Sequence, residues 1–566
     1  MKRIATFLLI ALLGACAAAQ TPSPAAKPVA RAVIEGIVTK DPGSEPVKKA
    51  LIELIAENQA EGGDYTAVTG ADGTFHIDGI LAGRYHLFVE RTGLLEVDKH
   101  RPRSDGRVLN LAAGQEVKDL AIRLQAAAVV RGRVTDEDGD PMPNGQVAVL
   151  RQTYVSGRSR WEQAGSERTN DLGEYRIANL AAGSYYVSVS PPPDFKSLIE
   201  TAGAAALEPR SSGAAGKADM AYQQTYYPGT VDRGQAAPIQ LRAGDDFPVN
   251  FSLAPSPSLS IRGSVVNLPP RASPSIMVRS RDFALVQGTD LRPDGSFVLR
   301  DVSPGAYTVM ATAESGAVAM MARQSVQVTG RSIEGLRLAL QPGASIRGRL
   351  RLESGGSGGR LDPSRIFLTL HAADGDDDDD GVLPFGVAEA SAHLAQVAPD
   401  GSFEFKSVPP GNYYVQLEEN GGDSDWFLKS AVTAGGEASE AGINVNGGTI
   451  ALDLAASPGS VVDGAVSSKD GSPVANAVVV AVPEARLRGR ADHYRKTVSD
   501  QAGRFTLRGI PPGEYTLFAW EGVDGEAYLN AEFLKSYEAQ GSALRVGAGE
   551  RKSLQLVVIP EAEEQP

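Results

Sequence analysis

The sequence predicts an all-β protein: five tandem β-sandwich domains of immunoglobulin-like size in an extended array, preceded by a signal peptide. Three observations carry this. At 566 residues the chain is too long for one hydrophobic core and divides into four to five ordinary domains. Glycine (62) and proline (35) are abundant while the hydrophobic share stays at 42%, the balance of a folded chain with many turns. A single set of turn and strand signals recurs five times at constant spacing.

The N-terminus comes first in chain order. Met1-Lys2-Arg3, the apolar run Ile4 to Leu13 and the small residues after it have the three parts of a signal peptide, and the run is too short for a mature membrane span. Two cleavage readings remain open. Leu13-Gly14-Ala15-Cys16 has the form of a bacterial lipobox, in which Cys16 is lipidated and becomes the first mature residue, leaving 1–15 as the leader. Ala17-Ala18-Ala19 before Gln20 has the form of an ordinary signal-peptidase site, leaving 1–19. Cys16 is the only cysteine, so under either reading the mature domains fold without disulfides. Residues 20–32, rich in proline and alanine, read as a tether.

The repeat follows. Gly73-Thr74-Phe75, Gly173-Glu174-Tyr175, Gly295-Ser296-Phe297, Gly401-Ser402-Phe403 and Gly503-Arg504-Phe505 are five Gly-x-aromatic steps, and ten residues after each glycine comes a Gly-x-Tyr step ending at Tyr85, Tyr185, Tyr307, Tyr413 or Tyr515. An aliphatic residue always falls between them: Ile80, Leu180, Val302, Val408 or Ile510. An acid before the first glycine, as at Asp72, Asp294 and Asp400, caps a turn, and the glycine takes positive φ. Pro304-Gly305, Pro410-Gly411 and Pro512-Gly513 predict type II turns. Alternation on both sides, as in Phe403-Glu404-Phe405 and Tyr413-Tyr414-Val415, then predicts an antiparallel hairpin with one face on a core.

Each unit opens on a strand with a central glycine (Gly36, Gly132, Gly263, Gly348, Gly464) and closes on an alternating strand such as Leu554-Gln555-Leu556-Val557-Val558. The expected sandwiches are 33–127, 128–257 with a long insertion at 190–240, 258–343, 344–459 with an acidic loop at 374–381, and 460–566. Short proline-containing joints predict a semi-rigid rod, reaching on the order of 150 Å at about 35 Å per domain.

The order of central-glycine strand, Pro-Val-x-x-Ala (Pro46-Val47-Lys48-Lys49-Ala50; Pro473-Val474-Ala475-Asn476-Ala477), Asp-Gly-x-Phe and Pro-Gly-x-Tyr resembles the carboxypeptidase regulatory-like domain. The resemblance covers nearly the whole mature chain, and the third and fourth units lack the Pro-Val-x-x-Ala element. It implies transthyretin-like sandwiches of the carbohydrate-binding-like group. It implies no peptidase activity, because function belongs to sites and not to folds. A related adhesin domain joins a first-strand lysine to a last-strand Asn or Asp; here Glu35, Arg131, Arg262, Arg347 and Asp463 flank the first-strand glycines, so no such crosslink is expected.

Chemistry-bearing residues are sparse. The six histidines are scattered, no His-Glu-x-x-His occurs, and no Gly-x-Ser-x-Gly lies between a strand and a helix, so an enzyme is not expected. The net charge of −14 disfavours nucleic acid. Asp376, Asp378 and Asp380 match the opening of an EF-hand calcium loop, but the closing acid is missing: Val387 stands at position twelve. A solvated loop is the plainer reading, and calcium is the one cofactor considered. Trp161, Tyr226, Tyr227, Trp426 and Trp520 are carbohydrate-contact candidates, set against the plainer reading that the tyrosines pack on their own sandwich.

The functional expectation is a non-enzymatic stalk or binding scaffold, located as an outer-membrane or cell-envelope lipoprotein or as a periplasmic or secreted protein. The partner would be an envelope or extracellular glycan or protein, with membrane contact only through a lipid on Cys16. The alternatives are a carbohydrate- or peptide-binding accessory protein and an unrecognised hydrolase.

Overall fold

The structure, a computed structural model, describes residues 30–58, 62–97, 106–192, 220–257, 259–270, 272–280, 286–300, 302–315, 318–353, 362–373, 393–419 and 425–560. The chain is almost entirely β, with small sheets in tandem domains. Five separate apolar cores follow one another, spanning Ala32 to Leu124, Ala128 to Leu253, Ile261 to Leu340, Ala344 to Ala456 and Val462 to Val558.

Each unit packs two sheets face to face. In the first, Ala32–Asp41 lies between Thr74–Ile80 and Glu116–Ala126, while Leu51–Ala56 lies between Tyr65–Val68 and Gly83–Glu90 in the opposite sheet. The opening strand runs parallel to the closing strand in all five units, so each first sheet is mixed.

The expected hairpin is not formed. The strand after each Gly-x-aromatic glycine pairs with the opening strand of its unit, and the strand that follows pairs in the other sheet: Arg504–Ile510 joins Ser460–Ser467, whereas Gly513–Trp520 joins Val478–Pro483. The connection is an arch between sheets. Alternation reports which side chains are apolar, and both limbs of an arch aim those side chains at one core, as a hairpin would.

The arch also changes the role of its glycines. Gly73, Gly173, Gly295, Gly401 and Gly503 do have φ between 73° and 82°, and Asp72, Asp294 and Asp400 accept the backbone N–H two residues on. Gly83, Gly305, Gly411 and Gly513, by contrast, lie outside the left-handed region, so these are not type II turns. Their constraint is the tyrosine two residues on, whose ring would lie 3.1–3.4 Å from an added Cβ. The tyrosine hydroxyl then donates to the carbonyl four residues back: Tyr85 to Leu81 at 2.8 Å, Tyr185 to Ala181 at 3.0 Å, Tyr307 to Ser303 at 2.8 Å and Tyr515 to Pro511 at 3.0 Å.

The expected extended array is corrected as well. Two of the four joints are single residues, Ala127 between Glu116–Ala126 and Ala128–Thr135 and Gly459 between Thr449–Pro458 and Ser460–Ser467. Joints this short fix an angle between units, and the fixed angles bring the fifth sandwich back onto the first two. Val108 N–H donates to the Asn476 side chain at 3.0 Å, and the Gln501 amide exchanges two hydrogen bonds with the Asn110 backbone at 3.0 and 2.9 Å.

Against the second sandwich, the hairpin of Gln146–Val155 and Arg158–Arg168 reaches a helical insertion of the fifth at 521–541. There Glu526 N–H donates to the Tyr154 carbonyl at 2.9 Å, Ser156 N–H to the Glu526 carboxylate at 2.7 Å and the Asn530 amide to the Gly157 carbonyl at 2.8 Å.

Candidate functional site

Four of the five aromatic candidates are buried, and Tyr227 is half-buried. Trp161 is 9% exposed and Tyr226 5%. The Trp161 ring stacks on Tyr186 at 4.1 Å, meets Tyr226 edge-on at 5.9 Å and carries the Arg233 guanidinium over its other face at 4.1 Å. This small cluster covers the outer face of the sheet beside the second core, and Tyr227 packs against that core. Both faces of the indole are thus occupied, so these rings offer no stacking platform for a sugar.

Trp520, 1% exposed, stacks on Phe518 at 5.0 Å and lies under Phe533 and Tyr537 of the helical insertion. That insertion gives the fifth unit a second apolar layer. The layer explains the unbroken run Val478-Val479-Val480-Ala481-Val482, since a strand buried on both faces shows no alternation. Trp426, 7% exposed, belongs to the fourth core. The contact reading of these five aromatics is therefore corrected: the rings are packing residues in three different units.

Cys16 and Asp376, Asp378 and Asp380 lie outside the described residues. Among the described residues no group of three or more His, Cys, Asp or Glu side chains is placed to hold a metal, and no helix is long and apolar enough to cross a membrane.

Among the described residues, two concavities stand out. One, of about 390 Å³, lies between the fourth and fifth units, with Glu418, Trp426 and Leu428 on one side and His493, Lys496 and Arg508 on the other. It is braced by Arg508–Asp425 at 3.1 Å and by the Arg490 guanidinium 4.2 Å over the Tyr414 ring, and burial holds the His493 imidazole below its ordinary pKa.

The other is a groove of about 510 Å³ on the outer face of the second unit's mixed sheet. Gly132 forms part of its lining, on a strand whose parallel ladder is interrupted without a register shift at Val249-Asn250, where the Arg133 N–H donates to the Asn250 side chain at 2.9 Å. Tyr175 is buried beneath and donates its hydroxyl to the Val249 carbonyl at 2.7 Å, and burial pushes that hydroxyl's pKa well up. The groove is lined by four arginines, Arg131, Arg133, Arg168 and Arg176, against two glutamates, Glu167 and Glu174, with Asn170 and Asn250.

These arginines are scattered along the chain in ones and twos, so no local sequence pattern marks them. The available signal was the cross-strand register, which sequence alone does not supply.

The carboxypeptidase regulatory-like domain profile matches residues 33–125, 129–195 and 461–556. The first, second and fifth units thus match the carboxypeptidase regulatory-like domain, a family of non-catalytic modules. No curated protein matches the chain. Among solved structures, the Bacillus anthracis TIE protein is 10% identical over 55% of this chain and 51% of its own, at a TM-score of 0.16. This chain therefore spans about half the length of that protein. The minor pilin GBS52 of Streptococcus agalactiae is 13% identical over 40% of this chain and 97% of its own, at 0.21. The shaft pilin SpaA of Lactobacillus rhamnosus GG is 11% identical over 40% and 98%, at 0.19. Likeness at this level assigns this chain no role.

Proposed function

We propose that this chain is an exported, non-catalytic envelope scaffold, tethered through a lipid on Cys16. The observation that carries the reading is the run of five sandwiches joined by very short linkers, three of them regulatory-like modules, with ionisable side chains spent on turns, ion pairs and joints between units. Such an array positions surfaces relative to one another and needs no reaction centre.

Globomycin treatment of cells producing the full-length protein tests the tether. The precursor is expected to accumulate, and Cys16→Ser is expected to release the protein from the membrane fraction; unchanged processing overturns the lipid anchor. Turnover of a peptide or glycoside substrate by the purified protein overturns the scaffold reading.

A further inference from the structure

We propose that the groove on the outer face of the second sandwich binds an acidic polysaccharide, one that carries carboxylates or sulfates beside free hydroxyls. The repeat supplies its own comparison. At one register position the opening strand faces its antiparallel neighbour with an outward pair: Glu35 opposite His76, Arg131 opposite Arg176, Arg262 opposite Val298, Arg347 opposite Glu404, and Asp463 opposite Thr506.

In three units the pair is complementary and bonded: His76–Glu35 at 3.2 Å, Arg347–Glu404 at 2.7 Å, and the Thr506 hydroxyl to Asp463 at 2.9 Å. In the third it sets one charge against valine. Only the second unit sets two like charges directly opposite, an arrangement that destabilises a sheet unless an anion bridges it.

The remaining charges leave room for that anion. Arg131 is engaged by Asp246 at 2.6 Å, but Arg133 donates to the Leu172 carbonyl and Arg168 to the Gln146 side chain, both neutral acceptors. The Arg176 guanidinium has no hydrogen-bond or ion-pair partner among the described residues. This excess of cations stands in a chain of net charge −14. Guanidinium forks match the paired oxygens of carboxylate and sulfate.

The rest of the lining narrows the ligand. Glu167 and Glu174 would repel a ligand that is anionic throughout, yet they accept well from hydroxyls, and the Asn170 and Asn250 side chains add amide dipoles. Tyr175 is buried with its hydroxyl used, and no exposed apolar side chain lines the groove to anchor a peptide. Cations, carboxylate acceptors and amides together fit a sugar bearing both an oxyanion and hydroxyls. The proposal adds a ligand to the scaffold reading without depending on it.

Titration calorimetry of the full-length protein with oligogalacturonate, sulfated oligosaccharide, neutral oligosaccharide and poly-glutamate tests it. Binding of one or both acidic sugars is expected, weakening with salt, and Arg133→Ala with Arg176→Ala is expected to lower affinity about tenfold or more. The carboxylate and sulfate arms separate the two oxyanion sources. Arg347→Ala, on the equivalent face of the fourth unit, is expected to leave affinity unchanged. The same double variant is expected to melt close to the parent, since it removes a like-charge pair and one exposed hydrogen bond, so lost binding is not lost folding. No binding of either acidic sugar, undiminished binding by the double variant, or equal binding of poly-glutamate or neutral sugar overturns the proposal. A null result here leaves Cys16 processing untouched, so the two readings fail separately.

Discussion

Each Gly-x-Tyr tyrosine works on its own turn, and in four units its hydroxyl donates to the carbonyl four residues earlier. Replacing Tyr515 with Phe leaves the Pro511 carbonyl without that donor and is expected to cost about 1 kcal/mol, read as a lower urea midpoint. Burial also pushes the Tyr85, Tyr494 and Tyr515 hydroxyls up to about 12. An unfolded tyrosine ionises near 10, so the folded state holds these protons more tightly. The stability they contribute is complete below about pH 10 and is lost as pH rises toward 12. Urea midpoints at pH 8 and pH 11 check this; equal midpoints would contradict the burial assigned to the three rings.

At the same scale the sequence was legible where a residue type has a single use. Gly73, Gly295 and Gly401 were readable as positive-φ positions. Trp161 and Trp520 were not readable as buried, because an indole fits a core and a sugar platform equally well.

Among elements, the opening strand shows most clearly why the repeat has its spacing. An added Cβ at Gly36 or Gly263 would lie 2.7 Å from the ring of Phe75 or Phe297, and one at Gly464 would press on the ring of Phe505. The Gly-x-aromatic residue thus lies across the glycine of the opening strand, and the two signals are one contact. Gly464→Ala is expected to destabilise the fifth unit by about 1–3 kcal/mol through overpacking. Gly489→Ala, with nothing within 4 Å of the added atom, is expected to be near neutral. Calorimetric melting of both variants measures the difference.

Element existence was legible from alternation, yet pairing was not. An arch and a hairpin share one polarity pattern, and the choice between them is made by hydrogen bonds to strands far away in sequence. The helical insertion at 521–541 was missed because its helices are only a few residues long, too short for a helical period to show. The run from Val478 to Val482 was its one sequence trace.

For the whole molecule, the decisive contacts join residues hundreds of positions apart, such as Val108 with Asn476 and Ser156 with Glu526. They depend on angles at all four joints, and no local pattern encodes such an angle. An added Cβ at Gly525 would press on the Thr153 hydroxyl at 2.8 Å and on the Tyr154 carbonyl, and one at Gly157 would lie 2.7 Å from the Leu529 carbonyl. The two surfaces are fitted backbone to backbone. The five sandwiches form an array closed by the last unit, and small-angle X-ray scattering of the full-length protein reads that closure as a length. A maximum dimension well below the roughly 150 Å of five domains in line is expected, with Gly157→Trp lengthening the particle. A parent protein already at about 150 Å, unchanged by that substitution, would contradict the closed array.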